Sequence, residues 1–243
     1  MVEAINFIQS DWRKRKLVRR EAEYTDDTSL RIFCGTWNVN GKSPEKEEGD
    51  VGAWLFAGSS GGMAEVYAVG FQEIVELNPK NVALSDAESA KRSVKWEHSI
   101  LELLNARDRA TQYVAVASEH LVGILLCVFV ARRHARHVRC VASSTAGVGM
   151  FGIAGNKGGA AVRMQIYNST LCFVSSHLAA HRKAVESRNS DFAAIVQKLV
   201  LLPDRADAMR GGDPVLGRYR RAMAGGRGAI DGAASGGGGG GSE

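Results

Sequence analysis

Oxygen-bearing side chains stand directly after apolar, β-prone runs in two places: Asn38 and Asn40, in Thr36-Trp37-Asn38-Val39-Asn40-Gly41, and Gln72-Glu73, after the run 66–71. Hydrolysis of a phosphate ester with a hard divalent cation needs such donors at the open end of a sheet. Magnesium takes one or two carboxylates, keeps several waters and accepts substrate oxygens. Taken singly, a glutamate after a strand is usually a solvated loop carboxylate, so Glu73 gains weight only from its company. Gly155-Asn156-Lys157-Gly158-Gly159 joins glycines, which let backbone approach a ligand closely, to a lysine point charge suited to phosphate. The same five residues equally describe a tight β-turn with an exposed lysine. In Ser175-Ser176-His177-Leu178-Ala179-Ala180-His181, His177 ends a strand and can donate to a phosphoryl group as charge develops there. The spacing to His181 permits a helical metal pair. No glutamate follows the first histidine and no further ligands cluster nearby, so zinc is a poor reading. Gly147, Gly149 and Gly152 satisfy the dinucleotide-binding glycine pattern, but no helix precedes the next strand and the position of the acid is the apolar Cys172; dinucleotide binding is rejected.

The elements that must position these groups are short and β-rich. Residues 30–37, 66–71, 113–118, 121–131, 138–145, 159–167 and 171–177 read as strands, several apolar on both faces as when layers cover a sheet from both sides. Helical periodicity fits 3–23, 87–105 and 182–202. Many close strands with few helices between them suggest an α/β sandwich rather than a doubly wound parallel sheet. Within the first helix, residues 13–20 carry Arg13, Lys14, Arg15, Lys16, Arg19 and Arg20; a solvated face is the plainer reading and contact with anionic lipid the sharper one. Beyond Leu202 the chain turns rich in Gly, Ala, Arg and Asp and ends in a run of six glycines, Gly236–Gly241, a composition unable to bury enough apolar surface to order itself. The expected organisation is a basic helix and linker over 1–24, a catalytic domain over 25–202, and a disordered tail over 203–243.

The 243 residues suffice for a sizeable core, with 45% hydrophobic and 23% charged residues. A net charge of +5 is compatible with phosphate esters, nucleic acid or acidic lipid and chooses none of them. Cys34, Cys127, Cys140 and Cys172 lie in apolar runs without a paired motif, so buried, reduced thiols of a cytoplasmic protein are expected. No apolar run approaches the ~20 residues of a membrane span.

Each motif alone is weak; their order is specific. Thr-Trp-Asn-Val-Asn-Gly, Val-Gly-Phe-Gln-Glu, Gly-Asn-Lys-Gly-Gly, Ser-His-Leu-Ala-Ala-His and Ser-Arg-Asn-Ser-Asp-Phe (187–192) follow one another as in the inositol polyphosphate 5-phosphatases, and the chain from about residue 21 to 202 resembles that family, its type II group above all. The resemblance implies a DNase I-like four-layer α/β sandwich and a magnesium-dependent phosphoric monoester hydrolase. Its substrate would be phosphatidylinositol 4,5-bisphosphate or a soluble inositol polyphosphate. It implies that Asn38 and Glu73 hold Mg2+ and that His177 contacts the scissile 5-phosphate. Lys157 would lie near the other ring phosphates, Arg188 and Asn189 would build the substrate-facing wall, Asn156 and His181 would complete the substrate-binding set, and Asn40 would stand behind the metal ligands.

The family's Gly-Asp-Leu-Asn-Tyr-Arg, Trp-Cys-Asp-Arg and Ser-Asp-His motifs do not occur, and Gly212-Asp213-Pro214 does not replace them. The expectation is therefore a sandwich incomplete in its C-terminal half, without the Asp–Asn pair that orients the attacking water, and catalytically dead or nearly so. Two alternatives remain: a magnesium-dependent nuclease of the same superfamily, and a non-catalytic phosphoinositide-binding fragment. The inositol phosphatase motifs disfavour nucleic acid. The expected location is the cytoplasm, with peripheral membrane contact through residues 13–20.

Overall fold

The computed structural model describes residues 2–57, 62–76, 82–148 and 157–202, excluding the side chains of 2–9, 46–49 and 82–86. Asn156 and the glycine-rich segment 203–243 lie outside the described residues. Two compact units are resolved, residues 1–30 and 31–243.

The first unit is helix α1, Val2–Arg19, followed by a 3-10 turn at Glu21–Glu23. Tyr24 closes the turn by donating its hydroxyl to the Leu17 carbonyl at 2.9 Å. Arg15 pairs with Asp11 one turn earlier and Arg20 with Glu23, while the Lys16 ammonium lies 5.2 Å from the centre of the Trp12 ring.

The second unit is a sandwich of two sheets. Strands β1 (Ile32–Asn38), β2 (Val66–Gln72), β3 (Tyr113–Leu121) and β4 (Ile124–Ala131) form the first, in the order β1-β2-β4-β3; β1 and β2 are parallel and the other pairs antiparallel. Strands β5 (Val138–Gly147), β6 (Gly158–Ile166) and β7 (Ser169–His177) form the second, an antiparallel meander. All seven expected strands are found. Helices α2 (Pro44–Leu55) and α3 (Val82–Arg107) cover the outer face of the first sheet, and α5 (Val185–Lys198) covers β5 and β6 of the second. A short helix α4, Arg132–Ala135, joins the sheets. The order helix, sheet, sheet, helix is the expected four-layer α/β sandwich.

Cover on both faces explains why β2 up to Phe71 and all of β4 are apolar, and period-two alternation divides their residues between the faces. On β2 and β4, Tyr67, Val69, Phe71, Leu125, Cys127 and Phe129 join Trp96, Ile100 and Leu104 of α3 in one core, while their neighbours Ala68, Gly70, Leu126 and Val128 lie on the opposite face, toward the second sheet. Phe71 packs on Trp96 with ring centres 4.5 Å apart, and full burial of each such ring contributes roughly 1.5–3 kcal/mol.

Two expectations need correction, and one helix was missed. Helix α2 was not anticipated, because its apolar residues are confined to its last turn, Val51, Trp54 and Leu55. Residues 199–202 are not helical: the chain leaves α5 at Leu199 with extended backbone. The cysteines are free, but Cys127 alone is buried, Cys140 is half-buried, and Cys34 and Cys172 are exposed. Both exposed thiols sit on β1 and β7, which pair on one side only among the described residues. Between these strands lies an open cavity of about 480 Å3 lined by Cys34, Thr36, Gly70, Leu126, Cys172 and Phe173.

Candidate active site

Four strand ends converge at one pole of the sandwich: the C-termini of β1, β2 and β7 and the N-terminus of β6. The loops after β1 and β2 are stitched together by backbone bonds, Val39 N–H to the Gln72 carbonyl at 2.9 Å and Gly41 N–H to the Glu73 carbonyl at 2.7 Å. Asn40, Gly41 and Glu73 adopt left-handed backbone, with Glu73 at φ 56°. Such a conformation costs a non-glycine residue on the order of 1 kcal/mol and persists where the surroundings enforce it, commonly at functional sites.

The side chains form a continuous polar line across both sheets. Asn38 donates Nδ2–H to Glu73 Oε1 at 3.0 Å and accepts the Asn40 N–H on Oδ1 at 3.0 Å. Glu73 Oε1 lies 3.6 Å from His177 Nε2, and Lys157 Nζ lies 2.6 Å from the same nitrogen. With Lys157 donating, the His177 ring accepts at Nε2 and carries its proton on Nδ1. Burial pulls the Lys157 ammonium below its usual range, opposed by the charges of Glu73 and Asp191. Thus Asn38, Glu73, His177 and Lys157, distant in sequence, are brought together.

Lys157 is held by the β5–β6 hairpin, whose ladder runs on as Val148 N–H to the Lys157 carbonyl at 3.0 Å. Gly158 must be glycine: an added Cβ would lie 2.2 Å from the Ala146 carbonyl oxygen.

Beneath this line, Gln72 donates Nε2–H to Thr36 Oγ1 at 2.9 Å and to Ser175 Oγ at 3.4 Å, tying β1, β2 and β7 directly under Glu73 and His177. The sequence set Gln72 beside Glu73 among the oxygen donors but not as a brace, and did not single out Ser175. A polar residue ending a strand buried at every position was the available signal.

In the segment after β7, Arg188 and Asp191 bond to the loop itself. Arg188 donates to the carbonyls of Ala179 (3.4 Å), His181 (2.7 Å) and Arg182 (3.3 Å), and Asp191 accepts the Ala179 N–H at 2.8 Å. Both residues clamp the loop that follows His177. Asp191, within the quoted Ser-Arg-Asn-Ser-Asp-Phe, was missed. The side chains of Asn189 and His181 are exposed.

Asn38 and Glu73 present one carboxylate and one neutral oxygen at a half-exposed strand end, a donor set suited to a hard cation that keeps most of its water. No group of three or more His, Cys, Asp and Glu able to hold a metal occurs among the described residues.

Residues 35–221 match the family model for endonuclease/exonuclease/phosphatase family 2. The chain belongs to this family. Human synaptojanin-1 is 36% identical over 192 residues, covering 73% of this chain and 12% of the relative. Mouse type II inositol 1,4,5-trisphosphate 5-phosphatase is 37% identical over 184 residues, covering 75% of this chain and 17% of the relative. Among solved structures, the inositol polyphosphate 5-phosphatase domain of a synaptojanin, crystallised with inositol (1,4)-bisphosphate and calcium, superposes with a TM-score of 0.64 at 29% identity, covering 84% of this chain and 54% of that one. The expected likeness to the inositol polyphosphate 5-phosphatases and the DNase I-like fold is therefore found. The chain spans less than a fifth of the length of these curated relatives and about half of the solved domain.

Proposed function

We propose that this chain carries the cation- and phosphoryl-binding part of an inositol polyphosphate 5-phosphatase, acting on the 5-phosphate of phosphatidylinositol 4,5-bisphosphate or a soluble inositol polyphosphate. The observation that carries the reading is the convergence of Asn38 and Glu73 from one sheet with Lys157 and His177 from the other. The inositol bisphosphate and calcium in the related solved domain support the substrate class and a divalent cation. Magnesium is our choice among such cations because one carboxylate and one amide oxygen suit an ion that retains water.

Asn38 and Glu73 would hold the cation, which when bound neutralises phosphoryl charge and polarises the P–O bond that water's attack breaks. Lys157, partly buried, faces the incoming phosphate with a fixed charge strengthened by poor solvation. His177, on the Lys157 contact and 3.6 Å from Glu73, accepts at Nε2 in the unliganded site; once Lys157 turns to an incoming phosphate and Nε2 takes up a proton, that nitrogen would donate to a phosphoryl oxygen as charge grows in the transition state. Arg188 and Asp191 hold the loop after His177 in position. The water-orienting Asp–Asn pair implied by the resemblance is not present among the described residues. We therefore propose slow turnover for the 243-residue chain and a binding role at the same site as the second reading.

No helix among the described residues is long and apolar enough to cross a membrane. We propose peripheral contact with a cytoplasmic membrane face through residues 13–20, whose basic side chains are exposed.

The test measures phosphate release and, in parallel, calorimetric binding of an inositol polyphosphate by the purified chain, with and without magnesium, against Glu73→Gln. Magnesium-dependent binding or release that disappears in the variant is expected. Absence of both, or equal values for the variant, would overturn the proposal.

A further inference from the structure

The pole opposite the candidate active site carries a concentration of arginine unrelated to the reaction. Residues 132–139, Arg-Arg-His-Ala-Arg-His-Val-Arg, hold four arginines and two histidines and no acid. The segment is anchored by apolar residues: Ala131, Ala135 and Val138 are fully buried, while Arg132, Arg133, Arg136 and Arg139 are exposed.

The guanidinium groups of Arg133, Arg136 and Arg139 are held by a built framework, with Arg132 exposed beside them. Arg133 reaches Glu65 at 3.1 Å, and the same carboxylate takes Arg31 at 3.0 Å, so one acid serves two cations. Arg133 Nε–H also donates to His134 Nε2 at 3.1 Å. That leaves the His134 proton on Nδ1, which meets the Tyr167 hydroxyl at 2.6 Å. Burial and the charge of Arg133 both push the His134 imidazole toward its neutral form. His137 stacks on the other side of Tyr167 with ring centres 4.3 Å apart and accepts Arg136 Nε–H at 3.0 Å. Arg139 donates to the Tyr167 carbonyl at 3.1 Å. Tyr167 is thus the post around which three arginine-bearing positions are fixed. The remaining acid close enough to influence Arg133 is Asp108, whose carboxylate is occupied by Thr111 and the Ala110 N–H. Arg132, Arg136 and Arg139 have no carboxylate within salt-bridge distance among the described residues.

We propose that α4 and the start of β5 form a docking surface for an acidic, Asp- and Glu-rich segment of a protein partner. Three exposed arginines held at fixed positions match carboxylates and lose little further freedom on binding, and Arg132 adds a charge beside them. A bilayer is the weaker occupant for two reasons. The run 132–139 exposes no large apolar side chain that could insert. Strands of seven to nine residues also separate this pole from Glu73 and His177 by roughly 25 Å, so a membrane engaged here would face away from the site; this second reason rests on the 5-phosphatase reading, the first does not.

The test uses the full chain and a fluorescent twelve-residue Glu/Asp peptide, read by anisotropy at two salt concentrations. Saturable, salt-sensitive binding is expected, weakened about tenfold or more in Arg132→Ala/Arg136→Ala, a variant that leaves the Arg133–Glu65 pair intact and whose melting temperature is measured alongside. Glu73→Gln and Arg13→Ala/Lys14→Ala should bind the peptide as the parent does, which separates this surface from the active site and from α1. Four outcomes would overturn the proposal: no binding, equal binding by the α4 variant, loss of binding in the α1 variant alone, or tighter binding to phosphatidylserine vesicles or polyuridine RNA than to the peptide.

Discussion

The candidate site draws Glu73 from one sheet and His177 from the other, so the gap between sheets sets the geometry of the chemistry. Gly70 and Ser175 meet in that gap. A Cβ built on Gly70 would lie 2.6 Å from Ser175 Oγ and 2.9 Å from Ser175 Cβ, and Ser175 is buried. Both distances are too short for the native spacing, so Gly70→Ala must push β2 and β7 apart or force Ser175 to another rotamer. Overpacking of this kind costs about 1–3 kcal/mol. The companion change, Ser175→Gly, loses the hydroxyl that accepts from Gln72, about 1 kcal/mol, and adds a glycine to a strand, about 0.5–1 kcal/mol. Without coupling, the double variant would be about 2.5–5 kcal/mol less stable than the parent. If the sheets stack as described, Ser175→Gly removes the atoms that clash, and the double variant should recover about 1–3 kcal/mol of that sum. Urea unfolding of parent, singles and double measures this, with the m-value checked for constancy. Additive effects, or a neutral Gly70→Ala, would refute the inter-sheet contact and with it the convergence of Glu73 and His177.

Three further outcomes follow from the core, a half-buried acid and the loop clamp. Trp96 is fully buried with its indole N–H unpaired, so Trp96→Phe should cost far less than Trp96→Ala, for which about 3–5 kcal/mol is expected by thermal or urea unfolding. Burial holds the Glu97 carboxyl above its ordinary value of 4.5 despite a hydrogen bond from Ser118. The folded state therefore favours the protonated form, and stability that is full below the ordinary value is lost as pH rises through the raised one. Glu97→Gln should then melt higher than the parent at pH 7–8, with the advantage gone near pH 4, in a series of melting curves. Asp191→Ala removes the acceptor of the Ala179 N–H, and should weaken inositol polyphosphate binding about tenfold while lowering stability by about 1–2 kcal/mol, measured by calorimetry and urea unfolding.

Hydrophobic patterning determined the fold class. The strands were legible where β2 up to Phe71 and all of β4 run apolar and where β1 alternates, patterns that follow from burial on two faces or one. Helix α2 was not, since its packing depends on a single terminal turn set against α3, and nothing local marks it. The motif order also determined the family and named Asn38, Glu73, Lys157 and His177. Local sequence could not supply the distances among them, because these residues are spread from position 38 to 177 and their meeting depends on sheet register and on the stacking of two sheets. The same stacking decided what the motifs could not: that Gln72 and Ser175 brace the site from below, and that Arg188 and Asp191 serve the loop. It also left Cys34 and Cys172 in the open, because apolar neighbours along a chain bury a thiol only when a layer covers its face. Strand order and coverage are properties of the whole chain's packing, whereas periodicity is a property of each segment, and the division between what was read and what was found runs along that line.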